Sequence, residues 1–74
     1  MSLDVELFGQ LLPNIKRRQT LDIKNRISVR EVANILGLNP EEVGLITIDG
    51  VQSDMEDRVE PGCRLCFFPY MSGG

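Results

Sequence analysis

Histidine is absent from this 74-residue chain, as is tryptophan. Without histidine the commonest general base near neutral pH is missing, and neither cysteine has an imidazole partner to activate it. The glycines form no phosphate-binding loop. An active site of the chain's own is therefore not expected. Cysteine is scarce: only Cys63 and Cys66 occur. At that spacing in a strand their α-carbons lie on the order of 10 Å apart, beyond disulfide reach. A zinc or iron-sulfur site wants about four ligands, so no metal site is expected, and the pair reads as a reduced turn residue and a reduced sheet residue. No apolar run approaches the roughly 20 residues of a membrane span, and the start lacks a signal-peptide pattern. A cytoplasmic protein with no membrane partner is the expectation. Basic residues are outnumbered 8 to 11, for a formal net charge of -3, which repels phosphate backbones and argues against nucleic acid as a partner.

What is present suits a single packed domain. A hydrophobic fraction of 42% and a charged fraction of 26% are ordinary for a folded chain, and this length encloses only one core. Leu3, Val5 and Leu7 alternate with Asp4, Glu6 and Phe8 as a half-buried strand. Residues 9–18 read as a surface loop ending in the basic run Lys16, Arg17 and Arg18, a solvated patch rather than a steering site. Leu21 and Ile23 alternate with Thr20, Asp22 and Lys24 as a second strand returning antiparallel. Ser28 and Glu31 form a capping box, with Ile27 and Val32 at the positions of a hydrophobic staple. Val29, Val32, Ala33 and Leu36 share one face before Gly37, which predicts a helix over 29–36. A single helical turn capped by Asn39 is consistent with Pro40 to Val43. Leu45 to Ile48 is an apolar strand ended by the hairpin dipeptide Asp49-Gly50, after which Val51 and Gln52 pair back. Residues 53–60 read as mostly polar. Pro61-Gly62 marks a turn, and Arg64 to Phe68 is the last strand, ended by Pro69. This order predicts an α+β sheet of four or five strands with one helix on one face. Its expected core is Val5, Leu7, Leu21, Val32, Leu36, Ile46, Ile48, Val59, Leu65 and Phe67.

The last eight residues, FFPYMSGG, carry the functional signal. Division into a domain over 1–69 and a projecting tail over 70–74 follows from Pro69 and from the few residues beyond it. Glycines without a β-carbon can thread a narrow channel and carry the Gly74 carboxylate to a buried reaction centre. Once adenylated, that carboxylate can exchange AMP for sulfur and become a thiocarboxylate. A terminal Gly-Gly by itself is equally compatible with a flexible small-residue tail. Phe68 points opposite to Phe67, so it is either an exposed aromatic anchor for a partner or partly covered by its sheet neighbours. Tyr70, Met71 and Ser72 would engage a partner groove by backbone and shape.

The opening strand, the capped helix, the strand ending at Asp49-Gly50 and the closing VEPGCRLCFFPYMSGG together resemble the ThiS/MoaD family of β-grasp sulfur carriers. The likeness spans essentially the full length. Phe67-Phe68 before Pro69 looks more like the small subunit of molybdopterin synthase than like the thiamine-pathway carrier. Cys63, where an acidic residue is usual, and Tyr70, where glycine or proline is usual, depart from the pattern. The resemblance implies a carrier rather than an enzyme, binding no cofactor alone. Its partners would be an E1-like adenylating enzyme that uses ATP and magnesium, and the large subunit of molybdopterin synthase. Gly74 would bear the thiocarboxylate, Tyr70, Met71, Ser72 and Gly73 would thread, and Phe68 and Pro69 would meet the partner. Sulfur carriage for thiamine or another thiolation pathway, and conjugation to lysines as a ubiquitin-like modifier, share the same adenylation step.

Overall fold

The computed structural model describes residues 1–9 and 17–70. Among these residues seven strands, one α-helix and a short 3-10 turn follow in the order β1 (Ser2–Leu7), β2 (Arg18–Asp22), β3 (Ile27–Ser28), α1 (Val29–Leu36), the 3-10 turn (Pro40–Glu42), β4 (Val43–Ile48), β5 (Val51–Ser53), β6 (Arg58–Val59) and β7 (Arg64–Pro69). Five of the strands form a mixed sheet in the order β2-β1-β7-β4-β5. The first and last strands are thus neighbours at its centre, and they run parallel, with Val5 beside Leu65 and Leu7 beside Phe67. This is the expected β-grasp architecture. Among the described residues no helix is long and apolar enough to cross a membrane.

Local chemistry explains most of these elements. At the start of α1 the Ser28 hydroxyl accepts from the Glu31 amide at 3.1 Å. The amides of Val29 and Arg30 are met by the carbonyls of Asp57 and Met55, at 2.8 and 3.0 Å, so a distant loop satisfies donors that a helix start leaves orphaned. Gly37 ends the helix at φ 79, and the Leu38 amide reaches back to the Ala33 carbonyl at 2.8 Å, which is the Schellman closure. Asn39 caps the 3-10 turn through a 3.0 Å bond from the Glu41 amide. Asp49 and Gly50 take φ 51 and 83, the left-handed pair of a type I′ hairpin, and Val51 returns opposite Ile48. The Asp49 carboxylate also accepts from the Arg64 amide at 2.8 Å, tying that turn to the start of β7.

Several expectations need correction. The second strand begins at Arg18, inside the expected loop, and Ile23 lies beyond its end, buried, with its amide bonded to the Met1 carbonyl at 2.9 Å. Residues 53–60 are not simply polar loop, since Arg58–Val59 pairs antiparallel with Ile27–Ser28 as a separate ribbon. Its apolar member Val59 is fully buried, and its neighbours Met55 and Asp57 are the residues that cap α1. Leu21 and Ile48 pack against the core without entering it, because Leu21 sits on an edge strand and Ile48 at the rim beside the hairpin turn. Leu3, Val29 and Ala33 are fully buried. Pro69 is the last residue of β7 rather than a stop before it; the ladder slips there, with Val43 facing Pro69 and Leu45 facing Phe68, so that Gly44 bulges. Lys16 lies outside the described residues.

Candidate functional site

The candidate site is the point where the chain leaves the sheet. Because β1 and β7 are parallel, both end at the same edge, and the Phe8 amide continues their ladder with a 2.9 Å bond to the Phe67 carbonyl. Two glycines crowd the chain as it departs. Gly9 has φ 67, and a β-carbon there would stand 2.7 Å from Cγ of Pro69. Gly44, the bulged residue of β4, comes closer to the backbone itself: a β-carbon would stand 2.8 Å from Cα of Tyr70 and 2.9 Å from the Pro69 carbonyl oxygen. Real β-carbons do not tolerate such distances, so these two positions need glycine for the chain to exit as it does.

On the sheet face away from the helix, the residues nearest this exit are apolar. Phe8 and Phe68 stack with ring centroids 4.4 Å apart and planes inclined by 8°. Both are half-buried, Leu45 faces Phe68 from β4 and is 38% exposed, and Tyr70 beyond them is 64% exposed. Phe67, on the helix side, is fully buried. Alternation in β7 therefore holds as expected, and Phe68 is partly covered by a neighbour while its remaining surface faces outward.

Further along the same face the character turns ionic. Glu6 is only 7% exposed. Its Oε1 accepts from Nη2 of Arg64 and lies 3.5 Å from Nε of Arg18. The hydrogen bond from Arg64 holds the Glu6 carboxyl below its ordinary value; partial burial opposes this, and the Arg18 and Arg17 charges add to it. The same contact raises Arg64. Cys66, paired beside Glu6 in the β1–β7 ladder, is buried. An open depression of about 390 Å³ runs past Asp4, Glu6, Arg18, Thr20 and Arg64. Among the described residues no group of three or more histidine, cysteine, aspartate or glutamate side chains could hold a metal ion.

Of the residues singled out from the sequence, Phe68, Pro69 and Tyr70 come together at the exit. Met71, Ser72, Gly73 and Gly74 lie outside the described residues. Sequence reasoning missed Phe8 as the partner of Phe68, Gly9 and Gly44 as the glycines of the exit, and Glu6 as a buried charge. Placing Phe8 and Glu6 needed the parallel pairing of two strands some 60 residues apart, and nothing local encodes it.

No known family profile matches the chain, and no curated protein does. Solved structures do. SAMP1 from Haloferax volcanii superposes with a TM-score of 0.75 over the whole of both chains at 20% identity. The HVO 2177 protein of the same organism superposes with a TM-score of 0.73 at 16% identity, over the whole of this chain and 87% of its own. At such identities the likeness is one of fold, and the fold is that of a small ubiquitin-like β-grasp protein.

Proposed function

We propose that this chain is a sulfur carrier. The Gly74 carboxylate attacks the α-phosphorus of ATP, held with magnesium by an E1-like adenylating enzyme, and pyrophosphate leaves. Hydrosulfide then attacks the acyl carbon, the bond to the AMP oxygen breaks, and the terminus becomes a thiocarboxylate. Its sulfur is donated to an acceptor held by a second partner. By the resemblance of the closing segment, that partner is the large subunit of molybdopterin synthase and the acceptor a pterin precursor of the molybdenum or tungsten cofactor. The chain supplies no catalytic group to these steps; it presents its terminus.

The observation that carries this reading is the exit itself. The last strand lies at the centre of the sheet and leaves it between two glycines, beside a half-covered aromatic pair. A partner can therefore grip a rigid face while receiving the residues beyond it. The ubiquitin-like fold and the Gly-Gly end suit the same role.

The test is intact mass after incubation with ATP, magnesium, a sulfur donor and the cognate activating enzyme. Replacement of one terminal oxygen by sulfur is the expected result. An unchanged mass with an active enzyme sinks the proposal, and higher-mass adducts joined through Gly74 to lysines would instead favour a protein modifier.

A further inference from the structure

We infer that Gly44 and Gly9 are positioning residues for the activation step: they fix the direction in which the C-terminal segment leaves the sheet, and so whether the terminus reaches a partner's reaction centre. This rests on the carrier reading above and gives the two glycines of the exit a role in the activation step itself. The two glycines act from opposite sides of one short stretch of chain. Gly9 extends β1 on one flank of β7 and allows the Pro69 ring to sit against its α-carbon. Gly44 occupies the bulge of β4 on the other flank and lets the Pro69 carbonyl and the Tyr70 backbone press into the space a side chain would fill.

The two contacts differ in what must yield. At Gly9 a β-carbon meets a ring carbon of Pro69, and the backbone is in addition left-handed, a conformation that residues with a β-carbon rarely adopt. At Gly44 all three near atoms belong to the backbone, namely Cα and N of Tyr70 and O of Pro69. A methyl group at Gly44 cannot be accommodated by turning a side chain. The backbone at Tyr70 must move, and everything after it is re-aimed, while Phe8, Phe68 and Leu45 keep their places on the sheet. A bulge opposite a proline is the economical place for such a device, because Pro69 has no amide to bond across to β4 and the ladder is already broken there.

The kinetics separate misdirection from ordinary destabilisation, because this chain is itself the substrate of activation. A variant that is partly unfolded lowers the concentration of competent substrate, so its apparent KM rises while kcat stays the same. A variant whose face still docks but whose terminus is re-aimed keeps its KM and loses kcat, on the order of tenfold or more for a displacement near 1 Å. The experiment compares the full chain with Gly44→Ala under the cognate activating enzyme, ATP and magnesium, following adenylate formation. In parallel, NMR measures the Hα contact between residues 44 and 70. A strong Gly44–Tyr70 contact in the parent chain, lost in Gly44→Ala together with kcat at unchanged KM, is the expected result. Equal kcat for both chains overturns the inference and leaves the carrier reading standing, as does a rise in KM alone. If even the parent chain is not activated, the carrier reading falls and this role falls with it. Absence of the contact in the parent chain removes the geometric basis independently of any enzyme.

Discussion

Phe8, one residue past the end of β1, stacks on Phe68 of the parallel neighbour β7, with ring centroids 4.4 Å apart and planes inclined by 8°. Each hides one face of the other, which keeps an aromatic pair on the outer side of the sheet without exposing either ring fully. Phe68→Ala should lower stability by about 1–2 kcal/mol, as expected for a half-buried ring. Phe8→Ala should cost a similar amount, and the double variant should fall short of the sum by about 0.5–1.5 kcal/mol. Urea unfolding of the four chains checks this, and strict additivity would mean that the stack contributes nothing of its own.

The Gly9 contact makes a second double-mutant case. Gly9→Ala should destabilise by about 1–2 kcal/mol from the left-handed backbone alone and more from the collision with Pro69. Pro69→Ala removes the ring carbon that a β-carbon added at Gly9 would meet at 2.7 Å, so Gly9→Ala should cost less in that background. Thermal unfolding of the set would show the difference, and an identical Gly9→Ala penalty in both backgrounds would assign all of it to φ.

Acid should weaken the fold through Glu6. Its carboxyl is held below the ordinary glutamate value by the bond from Arg64. A group whose pKa is lower folded than unfolded contributes stability in full above the unfolded value, roughly pH 4, and loses it as pH falls through the lowered folded value. Stability of the parent chain should therefore drop across that acidic range, and Glu6→Gln should be less stable at neutral pH with a flatter acid limb. Denaturant midpoints measured from pH 7 downward check the sign, and parallel curves for the two chains would remove Glu6 from the account.

Changes at the terminus should separate activity from folding. The described core ends, in sequence, at Phe67, so removing Gly74 should leave the free energy of unfolding within about 0.5 kcal/mol of the parent, as for changes away from buried features. Sulfur transfer should be abolished. Gly73→Ala should likewise leave the fold alone and slow activation, because a β-carbon has no room in a narrow channel. Thiocarboxylate formation by the chain lacking Gly74 would defeat the proposed chemistry.

Sequence legibility follows the range of the interaction. Helix α1 over 29–36, its Ser28 cap and Gly37 stop, the Asn39-capped turn and the Asp49-Gly50 hairpin were all readable, since each depends on side chains within a few residues. Alternation placed Phe67 inside and Phe68 outside for the same reason. The β3–β6 ribbon was not readable: two-residue strands have no periodicity, and this one exists because Val59 is buried and the nearby carbonyls of Met55 and Asp57 answer the helix amides of Arg30 and Val29. Glu6 looked like any outward-facing strand residue until Arg64 was brought beside it by the parallel pairing of β1 and β7. Gly44 carried no local signal, because its need for a missing side chain arises entirely from the chain that passes over it.

The central placement of β1 and β7 also governs how the molecule bears mechanical load. A partner that draws on the C-terminal segment pulls β7 along its own axis, and the parallel neighbour β1 resists through the ladder that joins them. The hydrogen bonds of the parallel ladder from Asp4–Arg64 to Leu7–Phe67 are then sheared together instead of opened one after another. Tension applied through the tail therefore falls on the strand pair with neighbours on both sides, and the domain can be held and tugged by its last residues without unzipping from an edge.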